Sequence, residues 1–319
     1  MKRILVITSV FIAGCSDPTL NMFQDYIERI ARVQEQPVIA STFEPTTLPP
    51  QRALHIDIEP VTIGLLDSYQ LRKCGLFGLI ADRNSILGKV QDQFRLFDYQ
   101  RQLIAGIEVC LASGTLTDEL ETSLKHSYLL KQAQLNSYQH NLLLTSKAMQ
   151  KQLGGQIWLT AEHQTQVSEI TGVLEALNLA LSNGVGEVAP LQEQLEKLPV
   201  LGRLDHSLQH ATHWLNLTTR QLRANDSQIH CGKNRDRSRF TILNNVFNQG
   251  FVAKIQPYLA ELDSYYYDLE PNLNLFQPPM VIGYTHPISK HHQEFRQATL
   301  DHVQYWQGLF KRCGRTIGQ

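Results

Sequence analysis

The sequence predicts an all-α protein, an elongated multi-helix bundle with a short Pro-rich extended segment near its N-terminus. Three observations carry that expectation. Apolar residues recur at helical spacing through most of the chain, capping and stopping residues separate the periodic stretches, and the one alternating stretch is confined to a proline-rich interval. With 319 residues, 42% of them hydrophobic and 18% charged, the chain is long enough to bury a sizeable core. Gly (19) and Pro (13) are too few for a disordered or collagen-like chain. Lys and Arg number 29 against 30 Asp and Glu, so no net field draws in nucleic acid.

The elements begin with an address. Lys2 and Arg3 precede a mostly apolar run, Ile4 to Ile12, and Ala13-Gly14 lead to Cys15. A basic start, an apolar run and a small-residue exit make a secretory signal, and this run is too short to span a bilayer. Ile12-Ala13-Gly14-Cys15 resembles a bacterial lipobox. The resemblance implies removal of residues 1–14, diacylglyceryl attachment to the Cys15 sulfur and acylation of the new amino group. Several acyl chains, at about 0.8 kcal/mol per buried CH₂, make an effectively permanent anchor. Ser16 follows Cys15 where an inner-membrane retention signal has Asp. By the same resemblance the protein is sorted to the outer membrane of a Gram-negative bacterium, its body facing the periplasm.

Residues 15–319 are then expected to form a single helical periplasmic domain. Phe23, Tyr26, Ile27, Ile30 and Val33 mark a first amphipathic helix. Pro37, Pro45, Pro49, Pro50 and Pro60 break the pattern between Gln36 and Gly64, where Leu54, Ile56 and Ile58 alternate with His55, Asp57 and Glu59. That interval reads as an extended strap lying on the bundle, which occupies 64–319. Leu65, Leu66, Tyr69, Cys74 and Leu79 resume the helical period, followed by Phe94, Phe97, Ile104, Ile107, Cys110 and Leu111. Gly114 stops that helix, and Thr117-Asp118-Glu119 starts the next with a capping hydroxyl and acids at its positive end. Its stripe of Leu120, Leu124, Tyr128, Leu135, Tyr138 and Leu142 continues to a stop at Gly154-Gly155. Further helices are expected near 166–181, 191–198, 204–222 and 240–267, the last kinked at Gly250 and Pro257. Pro287 opens a final helix with Phe295, His302, Trp306, Phe310 and Cys313 on one face.

Without Cys15, four cysteines remain: Cys74, Cys110, Cys231 and Cys313. An even count in an oxidising compartment suggests two disulfides, with three possible connectivities. No pair has the CxxC spacing of a redox or zinc site, and the pairing Cys74–Cys110 with Cys231–Cys313 is the favoured one. Loop entropy would make these worth about 4 and about 4.5 kcal/mol.

Two stretches carry a family resemblance. One is Cys74, then Arg83-Asn84-Ser85-Ile86-Leu87-Gly88-Lys89, then Cys110; the other is His302-Val303, Trp306-Gln307 and Cys313-Gly314. With the lipobox, these resemble a gammaproteobacterial lipoprotein family catalogued as a domain of unknown function, number thirty-eighty, over nearly the whole mature chain. The resemblance brings no activity or site with it. Asn84, Ser85, Gly88 and Lys89 form a candidate binding loop, with Asn84 or Ser85 capping a turn and Gly88 permitting a tight backbone.

Other constellations bear on chemistry. His206, His210 and His213 share a helical face and are candidate zinc ligands for a metal-dependent envelope hydrolase, although no His-Glu-x-x-His supplies a general base. His286, His291 and His292 cluster near the start of the last helix, and His302, amid apolar neighbours, reads as a hydrogen-bonded core residue. Arg220, Arg223, Lys233, Arg235, Arg237 and Arg239 form a basic stretch suited to phosphate or to plain solvation. Tyr265-Tyr266-Tyr267 point in different directions on a helix and make no shared platform. There is no nucleophile elbow, phosphate-binding Gly-rich loop or dinucleotide fingerprint, so nothing compels an enzyme. The expectation is a lipid-anchored protein that binds or scaffolds an envelope protein or glycan, with a carrier of apolar ligands as a further alternative.

Overall fold

A computed structural model describes residues 17–61, 64–232, 235–277 and 283–315. The lipobox, its Cys15 and Lys233 lie outside the described residues. Those described are all-α, with no strand among them. Helix α1 spans Pro18–Gln34, α2 Gln51–Leu54, α3 Leu65–Gln70, α4 Leu76–Asn84, α5 Ile86–Lys89, α6 Gln93–Ala112 and α7 Asp118–Thr145. Then come α8 Lys147–Leu153, α9 Gln164–Asn183, α10 Gln192–Lys197, α11 Val200–Ala224, α12 Ser238–Val246, α13 Gln256–Leu269 and α14 Ile288–Arg312.

The caps explain where helices start. Asp17 accepts from the backbone N–H groups of Thr19 and Leu20 to open α1, with Pro18 in the first turn. Thr117 opens α7, with Asp118, Glu119 and Glu121 at its positive end. Three expected helices are interrupted. The stretch from Leu65 to Leu79 breaks at Gly75, whose φ of 85° ends a 3₁₀ turn over Leu71–Cys74. The helix expected to run to Gly154 stops at Thr145, because Ser146 turns extended and its hydroxyl caps α8 through Met149. The kinked helix near 240–267 becomes α12, a nine-residue π stretch over Phe247–Ile255, and α13. Pro257 has no N–H to give the helical ladder at the junction.

The chain forms two compact units. Of the described residues, the first comprises 17–42, Thr212–Leu259 and 298–315. Phe23, Tyr26, Ile30, Phe251, Trp306 and Phe310 are buried in it. At its centre His302 is fully buried. Its Nε2 lies 3.1 Å from both the Trp306 Nε1 and the Tyr26 hydroxyl, and its Nδ1 lies 2.9 Å from the Thr219 hydroxyl. Indole nitrogen only donates, so Nε2 accepts and the proton sits on Nδ1. Burial pushes the imidazole pKa down to about 3, so this histidine is neutral and structural. Cys231 and Cys313 are joined in this unit, their Cα atoms 4.8 Å apart.

The second unit comprises Phe43–Ala211 and Ala260–Gln297. Helices α6 and α7 pack along each other. Leu71, Leu76, Ile80, Leu103, Ile107, Leu120 and Leu124 form a core cluster that also takes in Cys110, joined to Cys74 with Cα atoms 5.1 Å apart. The two disulfides are consistent with an extracytoplasmic location. Among the described residues, no helix is long and apolar enough to cross a membrane.

Candidate functional site

The proline-rich strap is pinned by side-chain amides that pair with its backbone. In the first unit, Gln221 accepts from the Ile39 N–H at 2.9 Å and donates to the Pro37 carbonyl at 3.3 Å. In the second unit, Gln209 accepts from the Thr46 N–H at 2.7 Å and donates to the Thr46 carbonyl at 3.2 Å. Asn141 of α7 does the same at Ile56, at 2.9 and 2.8 Å. His140 donates to the Leu54 carbonyl at 2.7 Å, and Gln134 to that of Glu59 at 2.8 Å. An extended segment has no partner strand here, so amides on helices satisfy its peptide groups.

Under the strap of the second unit lies a cleft of about 630 Å³. His55, Ile56, Asp57, Ile58, Pro60 and Val61 of the strap form one wall, and the end of α4 supplies Arg83 and Asn84. Helix α6 contributes Tyr99 and Gln100, and α7 contributes Lys131, Tyr138 and Asn141. Lys131 exposes only 6% of its surface. Its Nζ lies 3.4 Å from the Tyr138 hydroxyl and 5.5 Å from the centre of that ring. The Arg83 guanidinium lies 5.8 Å from the centre of the Tyr99 ring. Neither cation has a carboxylate partner among the described residues. Asp57, the one described acid lining the cleft, is fully exposed and sits 3.7 Å from His55.

Electrostatics follow from that arrangement. Burial, and then the nearby Arg83 charge, hold the Lys131 ammonium below the ordinary lysine range. Burial raises Tyr99 and Tyr138, and Arg83 opposes it at both. The side-chain carbonyl oxygens of Gln91 and Gln100 are buried without a hydrogen-bond partner. The cleft therefore holds two cations and two phenols.

The motif loop has a clear job. Ser85 caps α5 by accepting from the Gly88 N–H at 3.0 Å and donates its hydroxyl proton to the Asp82 carbonyl at 2.7 Å. Gly88 is buried so closely that a Cβ would stand 2.2 Å from the Asp82 carbonyl oxygen. Its own carbonyl accepts from Arg83. Of the four loop residues singled out in the sequence, only Asn84 reaches the cleft. Ser85 and Gly88 build the turn that holds Arg83, and Lys89 is exposed outside the cleft. Gly88→Ala is expected to force this turn open and displace Arg83. Because the added Cβ meets backbone at a buried position, it should cost about 1–3 kcal/mol, read as a lowered melting temperature. Asn141→Ala removes both bonds to Ile56 and should cost about 1–3 kcal/mol, with faster hydrogen exchange at the Ile56 amide.

Lys131 was not visible as a site residue in the motif, yet it had a signal. It occupies the helical stripe between Tyr128 and Leu135, at a position the apolar period assigns to the interior.

The histidine face has a different role. His206 and His210 lie with ring centres 4.0 Å apart, and Trp158 meets both edge-on at 5.8 and 5.4 Å. Phe43 meets His210 at 4.8 Å. His213 belongs to the first unit, beside Trp214. Among the described residues, no three His, Cys, Asp or Glu are grouped to hold a metal ion, and the rings of His206 and His210 pack against aromatics.

A second cleft of about 560 Å³ is lined by the strap from Pro45 to Leu48, Asp205, His206, Gln209, Tyr284 and His286. Asp205 accepts from His291 Nδ1 at 2.6 Å and from Gln209 at 2.9 Å. His286 Nδ1 has no partner and is sealed from solvent, and burial lowers the pKa of that imidazole. His292 is fixed by Asp263 at 2.7 Å and stacks on Tyr266 at 3.6 Å. These histidines are spoken for by single carboxylates or by packing.

Much of the basic stretch is used structurally within the first unit. Arg239 pairs with Glu35 at 2.6 Å, Arg237 donates to the Cys313 carbonyl at 2.8 Å, and Arg220 donates to the Ser41 hydroxyl at 3.3 Å.

A family model described as Protein of unknown function (DUF3080) matches residues 23–317. No curated protein and no solved structure matches the chain.

Proposed function

Since the chain belongs to the DUF3080 family, whose function is unknown, we propose from its own geometry that it is a binding protein. In this reading it is an outer-membrane-anchored periplasmic lipoprotein that captures another envelope component in the cleft beneath the strap. The observation that supports it is the cleft itself, walled by a strap whose backbone is pinned at Leu54, Ile56 and Glu59 and by Arg83 and Asn84 at the end of α4. A wall fixed by paired amides keeps the cavity formed without its ligand, which lowers the ordering cost of binding. The anchor rests on the lipobox at Cys15, and its periplasmic side on two disulfides.

The test is photo-crosslinking in cells that express the full acylatable chain. A crosslinker replacing Gln93, which lines the cleft, should capture discrete envelope species. One replacing Val109, exposed on the same helix, should not. Identical capture from the two positions, or none from well-expressed membrane-located protein, overturns the reading.

A further inference from the structure

We infer that the cleft beneath the strap takes a phosphoryl group carried by a small molecule or headgroup, seated on Lys131 and Arg83. This rests on the reading that the cleft is the binding site. A lysine nine-tenths buried is ordinarily paired with a carboxylate, because an isolated ammonium loses its hydration on burial. Lys131 has a phenol hydroxyl and a ring face for company, but no acid. A second cation shares its cavity, held in place by a dedicated turn through Ser85 and Gly88. Two cations in one low-dielectric cavity repel each other, and folding alone gains nothing from putting them there. An anion entering the cleft relieves both costs at once.

The donor set specifies which anion. A guanidinium fork, an ammonium and the hydroxyls of Tyr99 and Tyr138 offer more donors than one carboxylate accepts, and a doubly charged phosphoryl group has oxygens for them. The exposed Asp57 at the rim leaves the interior positive.

Calorimetry on the full chain in detergent tests this with glycerol 3-phosphate, inorganic phosphate, acetate and a short-chain phosphatidic acid. Glycerol 3-phosphate should bind saturably and at least about tenfold more tightly than acetate, as charge-assisted multidentate recognition requires. Phosphatidic acid binding more tightly than glycerol 3-phosphate identifies a lipid headgroup as the source, and the reverse identifies a soluble phosphate ester. Lys131→Met and Arg83→Gln should each weaken binding by about tenfold or more, the scale of losing one charged hydrogen-bond donor. Lys131→Met should also keep or raise the melting temperature, because it removes a buried charge that has no partner. A lysine kept for structure would give the opposite shift.

A readout on the unaltered chain stands beside the variants. Glycerol 3-phosphate should slow acylation of the Lys131 amine by an amine-reactive ester, while leaving exposed lysines unaffected. The inference is overturned if none of the three phosphoryl probes binds, if acetate binds as tightly, or if binding survives both substitutions with the amine unprotected. Crosslinks from Gln93 without any phosphoryl binding remove the anion assignment alone. Silence in both experiments removes the binding reading with it.

Discussion

His302→Leu is expected to lower the unfolding free energy by about 4 kcal/mol, since three polar groups lose a buried partner at once. The Tyr26 hydroxyl, the Trp306 indole N–H and the Thr219 hydroxyl all meet on that imidazole, which is itself fully buried. The Thr219 hydroxyl also donates to the Leu215 carbonyl at 2.7 Å, so the loss there is smaller than at the other two. Urea-induced unfolding reads the difference, and a change below about 1 kcal/mol would place the value of this network within that of an ordinary surface contact. The same residue makes the protein acid-sensitive. Its folded pKa of about 3 lies below the unfolded value near 6.5, so the unfolded chain takes up the proton first. Stability is full above about pH 6.5 and falls as pH drops toward 3, by on the order of 4–5 kcal/mol at the lower end. Burial lowers His140, His213 and His286 in the same direction, so the comparison with His302→Gln isolates this residue's share of the slope.

Breaking the Cys231–Cys313 bridge by the double Cys→Ser change should cost about 4.5 kcal/mol on the loop-entropy model, against about 4 for Cys74–Cys110. The sequence separations of 82 and 36 set that order. Thermal unfolding of the two double variants, each compared with the oxidised parent, checks both the size and the ranking. A larger loss for the Cys74–Cys110 variant would show that its position inside a buried cluster outweighs loop length.

The long helices were legible because their periods were uninterrupted. The stripe from Phe23 to Ile30 became α1, and the stripe from Phe295 to Cys313 marked the last helix. The breaks were less so. Gly75 and Ser146 each stand inside a continuing apolar pattern, and only the local backbone reveals that one turns left-handed and the other caps a new helix. The strap was visible from its prolines, but its fastening was not. Gln209, Asn141 and Gln221 look like ordinary polar residues on helices until the backbone they pair with is in place.

The candidate site was half visible for a related reason. The motif from Arg83 to Lys89 stood out, yet its middle turned out to be scaffolding for Arg83. Lys131 lies 48 positions further on, and only the packing of α6 on α7 brings it to the same cavity. The histidine face is legible by spacing alone, whereas Trp158 and Phe43, which pack on His206 and His210, arrive from segments that spacing does not foresee.

The most direct measurement is a crystal structure of the full chain grown with glycerol 3-phosphate. The account predicts density for the phosphoryl group between the Lys131 Nζ and the Arg83 guanidinium. A cleft without ligand in which Lys131 pairs with a carboxylate of its own chain would contradict it.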